Sequence, residues 1–222
     1  MKINEVKLLT LVVSVFIITT IWVAYFREVI VNNNDNQFLA MGIIGEKNDI
    51  ENYFVNNNTE ITFGLENHWS IAVTNNMNDV KYLDIKVKLL SDQDTLPNSD
   101  GFIPSSAIII YDIPFFLARG ETINHEFTWS MGVPTQVIKN DQNFELSTNI
   151  FINNSTYPIQ LTLPRLSQNT PDNDTSTYSR IVFELWTYNE NENIFDFKVE
   201  TPSEDFCIWN QLFFKINLSD LI

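Results

Sequence analysis

The sequence predicts a mainly β protein: an antiparallel β-sandwich of immunoglobulin-like or related type, preceded by one N-terminal transmembrane helix. Three observations predict it. Residues 8–26 form an uncharged apolar run. About ten later segments alternate apolar and polar residues with a period of two, and no strand-helix alternation occurs. A chain of 222 residues is long enough for one such domain to bury a sizeable core.

The apolar run LLTLVVSVFIITTIWVAYF has 19 residues and no charge. At about 1.5 Å per residue it would span roughly 28 Å, close to the hydrocarbon core of a bilayer. A secretory signal peptide is the alternative, but VAYFREV offers no small-x-small cleavage site. Two basic residues, Lys2 and Lys7, precede the run, and only Arg27 directly follows it. Because basic residues are enriched on the cytoplasmic side of membrane helices, this difference favours a cytoplasmic N-terminus. We therefore expect a cytoplasmic segment at 1–7 and a single-pass signal anchor in the cell membrane at 8–26. A tether at 27–37 and an extracellular domain at 38–222 are expected to follow.

Charge and composition exclude several classes of function. The 13 basic and 28 acidic residues give a formal net charge of -15, so the chain repels nucleic-acid phosphates and we expect no nucleic-acid partner. Only six glycines are present and none forms a phosphate-binding loop. No nucleophile elbow is present either. We expect no cofactor, except that calcium remains open.

The first strands follow from alternating apolar residues. WSIAVT and VKYLDIKVKLL each place one apolar row on a single face, with NNMNDV as the turn between them. Asp84, Lys86 and Lys88 are predicted to face outward. SSAIIIYDI is continuously apolar and predicts a central strand covered on both faces. ETINHEFTW is the next strand. The residues predicted to face the core are Trp69, Ile71, Val73, Leu83, Ile85, Val87, Leu89, Ile123, His125, Phe127 and Trp129.

The second half continues the pattern. FELSTNIFI, IQLTL and CIWNQLFFKINL predict strands with one apolar face. RIVFELWTYN and IFDFKV flank the polar NENEN, which predicts a hairpin because Asn tolerates turn conformations. Its large side chains are predicted to pack against a facing sheet. LSQNTPDNDTSTY is predicted to be a surface loop, with a boundary between two modules as the alternative. The aromatic residues predicted for the hairpin's core are Phe183, Trp186, Phe195 and Phe197.

Several stretches resemble an archaeal family of membrane proteins that carry a domain of unknown function. The resemblance lies in LAMGIIGEKNDIENYF, ITFGLENHWSIAVTNNMNDVKYLDIKVKLL, RIVFELWTYN and WNQLFFKINL, and covers roughly Phe38 to Leu218. Phe54 stands where that family often has proline, and the family frequently has several membrane helices. The resemblance implies an archaeal source, an exterior β-sandwich and no assigned activity, so no catalytic residue is carried over.

Five Asn-x-Ser/Thr triplets mark candidate glycosylation sites. Together with the predicted anchor, they favour an exterior glycoprotein. The single cysteine, Cys207, excludes an internal disulfide, and we interpret it as a buried apolar thiol beside Phe206 and Ile208. The candidate acceptors are Asn57, Asn153, Asn154, Asn173 and Asn217.

Two weak metal sites can be drawn from the sequence. His68 and His125 are the only histidines. If they lie on neighbouring strands, they could bind a metal together with a carboxylate. Separate histidines are the simpler interpretation, because no HxH or HExxH spacing exists. The segment SDQDTLPNSDG offers oxygen ligands for calcium without matching an EF-hand, so a solvated turn is the alternative. Its candidate ligands are Asp92, Asp94, Asn98 and Asp100.

Three classes of function remain for such a chain. The first is a membrane-tethered surface module that binds or scaffolds envelope proteins or glycans. The second is an accessory subunit docked on a larger membrane complex, which an exposed apolar patch would favour. The third is a hydrolase of surface polymers, which a cleft with convergent carboxylates or both histidines would favour. The acids are plentiful, and nothing in the sequence singles out a catalytic pair, so we expect no enzyme.

Overall fold

The computed structural model describes residues 37–46, 50–55, 58–164, 176–201, 204–219 and 221. Contacts make Phe38–Ile222 one compact unit. No helix within the described ranges has the length and apolar character needed to cross a bilayer, and the predicted span 8–26 lies outside them. The strands are β1 (Leu39–Ile44), β2 (Glu60–Ile61), β3 (Asn67–Asn75), β4 (Lys81–Leu90), β5 (Ile109–Leu117), β6 (Thr122–Met131), β7 (Gln136–Lys139), β8 (Asn143–Ile152), β9 (Ser155–Pro164), β10 (Ser176–Asn189), β11 (Ile194–Asp196) and β12 (Ile208–Asn217).

The strands form two sheets of six. In sheet A, β1 pairs with β3, β3 with β6, and β8 pairs with β6 and β7 along one edge and with β9 along the other. In sheet B the order is β2-β12-β10-β4-β5, with β11 beside the end of β10. All pairings are antiparallel except β2 with β12. The predicted mainly β, antiparallel architecture is confirmed.

The inner faces of the two sheets meet in one apolar core. Trp69 of sheet A lies 6.0 Å from Phe183 of sheet B, and Trp129 lies 5.3 Å from Phe214, measured between ring centroids. The predicted inward rows of β3, β4, β8 and β12 are in this core, since alternate residues of a strand share a face. His125 and Ile123 share the inward face of β6 but are only half-buried.

The hairpin of β10 and β11 is confirmed, with Tyr188 opposite Phe195. Its packing differs from the prediction, because both faces of β10 are covered. Phe183 lies in the core between the sheets. Trp186 instead packs against Phe197 on the outer face of sheet B, and Phe195 packs against Tyr188. The prediction that these large aromatic residues all fill the space between the sheets is therefore wrong.

The outward polar row of β4 is also not solvated as predicted. Asp84 and Lys88 are buried, at 5% and 3% exposure. Lys88 Nζ lies 2.9 Å from Glu184 Oε2 and donates to the carbonyl of Ser105. The backbone N–H of Ser105 donates to Glu184 Oε1. The connection 91–108 thus packs over the outer face of sheet B and encloses an ion pair.

β5 is an edge strand, so the prediction of a central strand for SSAIIIYDI is wrong. It pairs only with β4 among the described strands, and Ile108 and Ile109 are exposed. Pro114 lies within it and lacks a backbone N–H, which suits an edge strand. A continuous apolar run is typical of burial on both faces. Here part of it faces the cleft described below.

NNMNDV does not close a hairpin. β3 belongs to sheet A and β4 to sheet B, so this segment crosses between the sheets. Asn75 organises the crossing: its Oδ1 accepts the N–H of Met77, and its Nδ2 donates to the carbonyls of Asp79 and Leu117. The predicted loop LSQNTPDNDTSTY also differs, because β10 begins at Ser176. Its residues 166–175 lie outside the described ranges.

Candidate functional site

A cleft opens along one side of the domain, between β5 of sheet B and β8 and β9 of sheet A. Its volume is about 790 Å³. The walls of the cleft include the polar residues Ser147, Asn149 and Gln160. Its apolar lining comes from Leu89, Ile108, Ile109, Ile110, Ile159 and Leu161.

The rim of this cleft is apolar and open to solvent. Ile108 is 81% exposed and Ile109 is 44% exposed. Single exposed apolar residues are common on soluble proteins, but adjacent ones at the rim of an apolar cleft are typical of binding surfaces. The rim therefore offers apolar side chains that a bound partner could cover.

The two strands that border the cleft differ in how their outer edges are used. On β9, the N–H of Thr162 donates to Ser91 Oγ, and its carbonyl accepts the N–H of Asp92. Pro158 removes another donor from β9. β5 pairs with β4 on one side and has no described strand on the other. β5 is thus the strand with a free edge beside the cleft.

A row of four aromatic rings crosses the outer face of sheet B, on four successive strands. Phe116 stacks on Tyr82 with ring centroids 4.4 Å apart, and Tyr82 lies 5.5 Å from Tyr188 and 4.9 Å from Phe195. The row follows from register, since Tyr82 is opposite Phe116 and Tyr188 is opposite Phe195. Phe116 is 68% exposed, so one end of the row is open to solvent.

Asp84 lies beside the aromatic row and is the most unusual carboxyl among the described residues. Its Oδ1 is buried without a hydrogen-bond partner. Burial raises the pKa of Asp84, and the Asp112 carboxylate raises it further, while Lys86 and the Ile113 N–H act in the opposite direction.

The two histidines do not form a joint site. His68 is on the outer face of sheet A, where its Nδ1 lies 3.1 Å from Thr128 Oγ1. His125 is opposite Ile71 on the inward face and packs 4.4 Å from the ring of Phe115. Burial lowers the pKa of His125, and its Nε2 has no hydrogen-bond partner. Adjacent strands carry them, but on opposite faces.

Two of the four predicted calcium ligands, Asp94 and Asn98, are used within their own loop. Asp94 Oδ2 accepts the N–H of Ser91, and Asn98 Oδ1 accepts the N–H of Gly101. The Asp92 main chain bonds to β9, and Asp100 is exposed. In the described part of the chain, no group of three His, Cys, Asp or Glu residues could hold a metal ion. The calcium site stays a prediction.

The other sequence candidates divide by position. Asn57 and Asn173 lie outside the described residues, whereas Asn153 and Asn154 form the turn between β8 and β9. Asn217 ends β12. Cys207 is a free thiol and is half-buried rather than buried, because it precedes β12 in a connection near the surface.

Neither a protein-family model nor a curated protein matches the chain. Among solved structures, the crystal structure of Spo0M, a sporulation control protein from Bacillus subtilis, is 10% identical. The match covers 80% of this chain and 90% of that chain, with a TM-score of 0.26. A similarity this weak carries no argument about function.

The cleft and the aromatic row are the features that the sequence interpretation missed. Pro114 was the available signal for the cleft, because proline inside a strand pattern points to an edge. The aromatic row had no comparable signal. It depends on the register of β5, β4, β10 and β11, which brings residues distant in sequence onto one line.

Proposed function

We propose that this chain is a single-pass, membrane-anchored exterior module that binds another envelope protein at the cleft beside β5. The observation that carries the proposal is the free edge of β5 next to an apolar cleft. The expected ligand is an extended, apolar segment of the partner, which adds a strand to β5. Main-chain hydrogen bonds to β5 would supply affinity, and alternate side chains would enter the cleft.

An extended peptide fits this site better than a compact ligand because it uses both features at once. Its backbone satisfies the edge of β5, and its side chains cover Ile108 and Ile109. Full burial of such a side chain contributes roughly 1.5–3 kcal/mol. Strand addition is expected over Ile109–Ile113, because Pro114 lacks the N–H that would continue the ladder.

The test compares two substitutions in the full chain, isolated after cross-linking in native membranes. Ile109→Asp places a charge at the cleft, and Leu65→Asp is the matched control, since Leu65 is 43% exposed and is not among the residues that line the cleft. We expect Ile109→Asp to reduce the recovered partner about tenfold or more, the loss that about 1.4 kcal/mol produces. Leu65→Asp should leave the recovery unchanged.

Hydrogen exchange gives the second readout. When the partner is bound, amides of β5 should exchange more slowly, because a new strand protects its free edge. Equal recovery of the partner with Ile109→Asp, or unchanged exchange in β5, contradicts binding at the cleft. A chain that recovers no partner above the background contradicts the binding function itself.

The exterior location belongs to the same proposal and has its own test. The apolar run 8–26 and the five glycosylation triplets support it. Protease added to intact cells should cleave the domain, and lysis should not be required. Cleavage only after lysis would overturn the exterior location. The immunoglobulin-like type of sandwich and membership of the archaeal family remain parts of this proposal.

An accessory subunit of a larger membrane complex is the alternative within the binding class. The exposed Ile108 and Ile109 favour docking of this kind. The stoichiometry of the recovered complex distinguishes an accessory subunit from a free-standing surface module. One partner recovered in equal amount supports an accessory subunit, whereas several partners in small amounts support a free-standing surface module.

Glycan binding is the second candidate function, and the aromatic row favours it. The exposed face of Phe116 could pack against the C–H face of a sugar. Phe116→Ala should then weaken retention on polysaccharide extracted from the cell envelope, while Ile109→Asp should not. A surface-polymer hydrolase remains a further alternative.

A further inference from the structure

The turn between β8 and β9 carries two overlapping glycosylation triplets. Ile152 is opposite Ser155, so Asn153 and Asn154 alone form the turn. Their φ angles are 45° and 68°. Two successive residues with positive φ are characteristic of a type I′ turn, for which Asn is well suited. Both residues are therefore held by the same local geometry, but their side chains differ.

The Asn153 side chain is fully used inside the protein. Its Oδ1 accepts the N–H of Thr128 at 2.9 Å. Its Nδ2 donates to the carbonyl of Glu126 at 3.2 Å and to the hydroxyl of Tyr111 at 3.4 Å. An amide nitrogen has two hydrogens, and both are engaged here. Asn153 thus ties the turn to β6 and to β5 of the other sheet.

The Asn154 side chain is exposed and makes no hydrogen bond among the described residues. Ser155 and Thr156, which complete the two triplets, are also exposed. Asn217, the other described candidate, resembles Asn153. Its Nδ2 donates to Glu60 Oε1 at 3.1 Å, and its Oδ1 accepts the N–H of Ser219 at 3.0 Å.

We propose that Asn154 carries an N-linked glycan in the folded protein and that Asn153 and Asn217 do not. The inference rests on the exterior location in the proposed function. In the reaction, Nδ2 of Asn154 forms a bond to the anomeric carbon of a lipid-linked glycosyl phosphate. The bond from that carbon to the phosphate oxygen breaks, the phosphate leaves with the electron pair, and Nδ2 loses one proton to a base of the transferase.

A glycan on Asn153 is incompatible with the observed packing, whether it is added before or after folding. Glycosylation would leave one hydrogen on Nδ2, so one of the two bonds to Glu126 and Tyr111 would be lost. The sugar would also have to occupy the position of one of these groups. At Asn154 the sugar enters solvent and displaces nothing.

Two substitutions separate the overlapping triplets without changing either asparagine. Ser155→Ala removes the triplet that begins at Asn153 and leaves the one that begins at Asn154 intact, because Thr156 still completes it. Thr156→Val removes the Asn154 triplet and leaves the Asn153 triplet intact. The full chain is expressed in its native cells, isolated from membranes, and the peptide that contains this turn is measured by mass spectrometry. We expect the glycan mass to persist in Ser155→Ala and to disappear in Thr156→Val.

The opposite pattern, loss in Ser155→Ala and retention in Thr156→Val, would place the glycan on Asn153 and overturn the proposal. An unmodified turn in the wild-type chain would overturn it as well, as would a glycan on Asn217. Protease cleavage on intact cells separates this failure from failure of the proposed function. A domain that is cut from outside but carries no glycan here is exterior, and only the present inference is lost.

Discussion

At the scale of single residues, the Lys88–Glu184 pair is the most deeply buried ion pair among the described residues. Their side chains are 4% and 0% exposed, and Ser105 and Trp186 supply further hydrogen bonds to Glu184. A buried pair of this kind contributes little relative to an apolar pair, but removal of one partner leaves an unpaired buried charge.

Lys88→Met or Glu184→Gln should each lower the free energy of unfolding by about 3–5 kcal/mol. The double substitution should cost less than the sum of the two, because it leaves no unpaired charge. Lys81→Met is the control, since Lys81 and Asp79 form a solvent-accessible pair, with side chains 25% and 61% exposed, worth about 0–1 kcal/mol. Urea unfolding of the full chain in detergent measures all four. Additive losses would contradict the coupling.

The buried carboxyl of Asp84 should make the stability of the protein depend on pH. Because burial raises its pKa above the ordinary 3.8, its contribution to stability is present below that pH and is lost as the pH rises through the folded-state pKa. Asp84→Asn should therefore stabilise the protein at pH 7, and the gain should vanish below about pH 3.8. Thermal unfolding at several pH values measures this. Asp100→Asn, at an exposed site, should show no such gain.

At the scale of elements, alternation predicts which residues share a face but not what covers that face. β3 and β8 were predicted correctly because their apolar faces meet the facing sheet. β4 has the predicted inward row, yet Lys88 in its polar row is covered by the connection 91–108, which no local pattern reveals. β5 was misplaced because an apolar run is the same whether a second sheet or an open cleft lies beside it.

In the turn between β8 and β9, the Asn153 side chain is expected to stabilise the fold and the Asn154 side chain is not. Glycine tolerates positive φ, so the difference in the free energy of unfolding between Asn153→Gly and Asn154→Gly reports the contribution of the two side chains. Asn153→Gly should lower the free energy of unfolding by about 1–3 kcal/mol, because the Thr128 N–H loses its acceptor. Asn154→Gly should stay within about 0.5 kcal/mol of wild type. Equal losses would contradict the structural role of Asn153.

At the scale of the whole molecule, the sequence predicted the class of fold but not the candidate site. Fold class follows from local periodicity and composition, which are present in every segment. The cleft follows from sheet order, which places β5 and β9 at edges that face each other, and the aromatic row follows from register across four strands. Long-range pairing of this kind has no signal in one sequence.

The proposed anchor and the cleft together lead to the proposal that an exterior domain holds an extended segment of an envelope protein. The most direct measurement places a photo-reactive side chain at position 108, the more exposed of the two rim isoleucines, in the full chain in native membranes. The same side chain at position 65 is the control. We predict an adduct at position 108, on a short extended apolar segment of one protein. Equal labelling at both positions, or labelling at 65 alone, would contradict the claim.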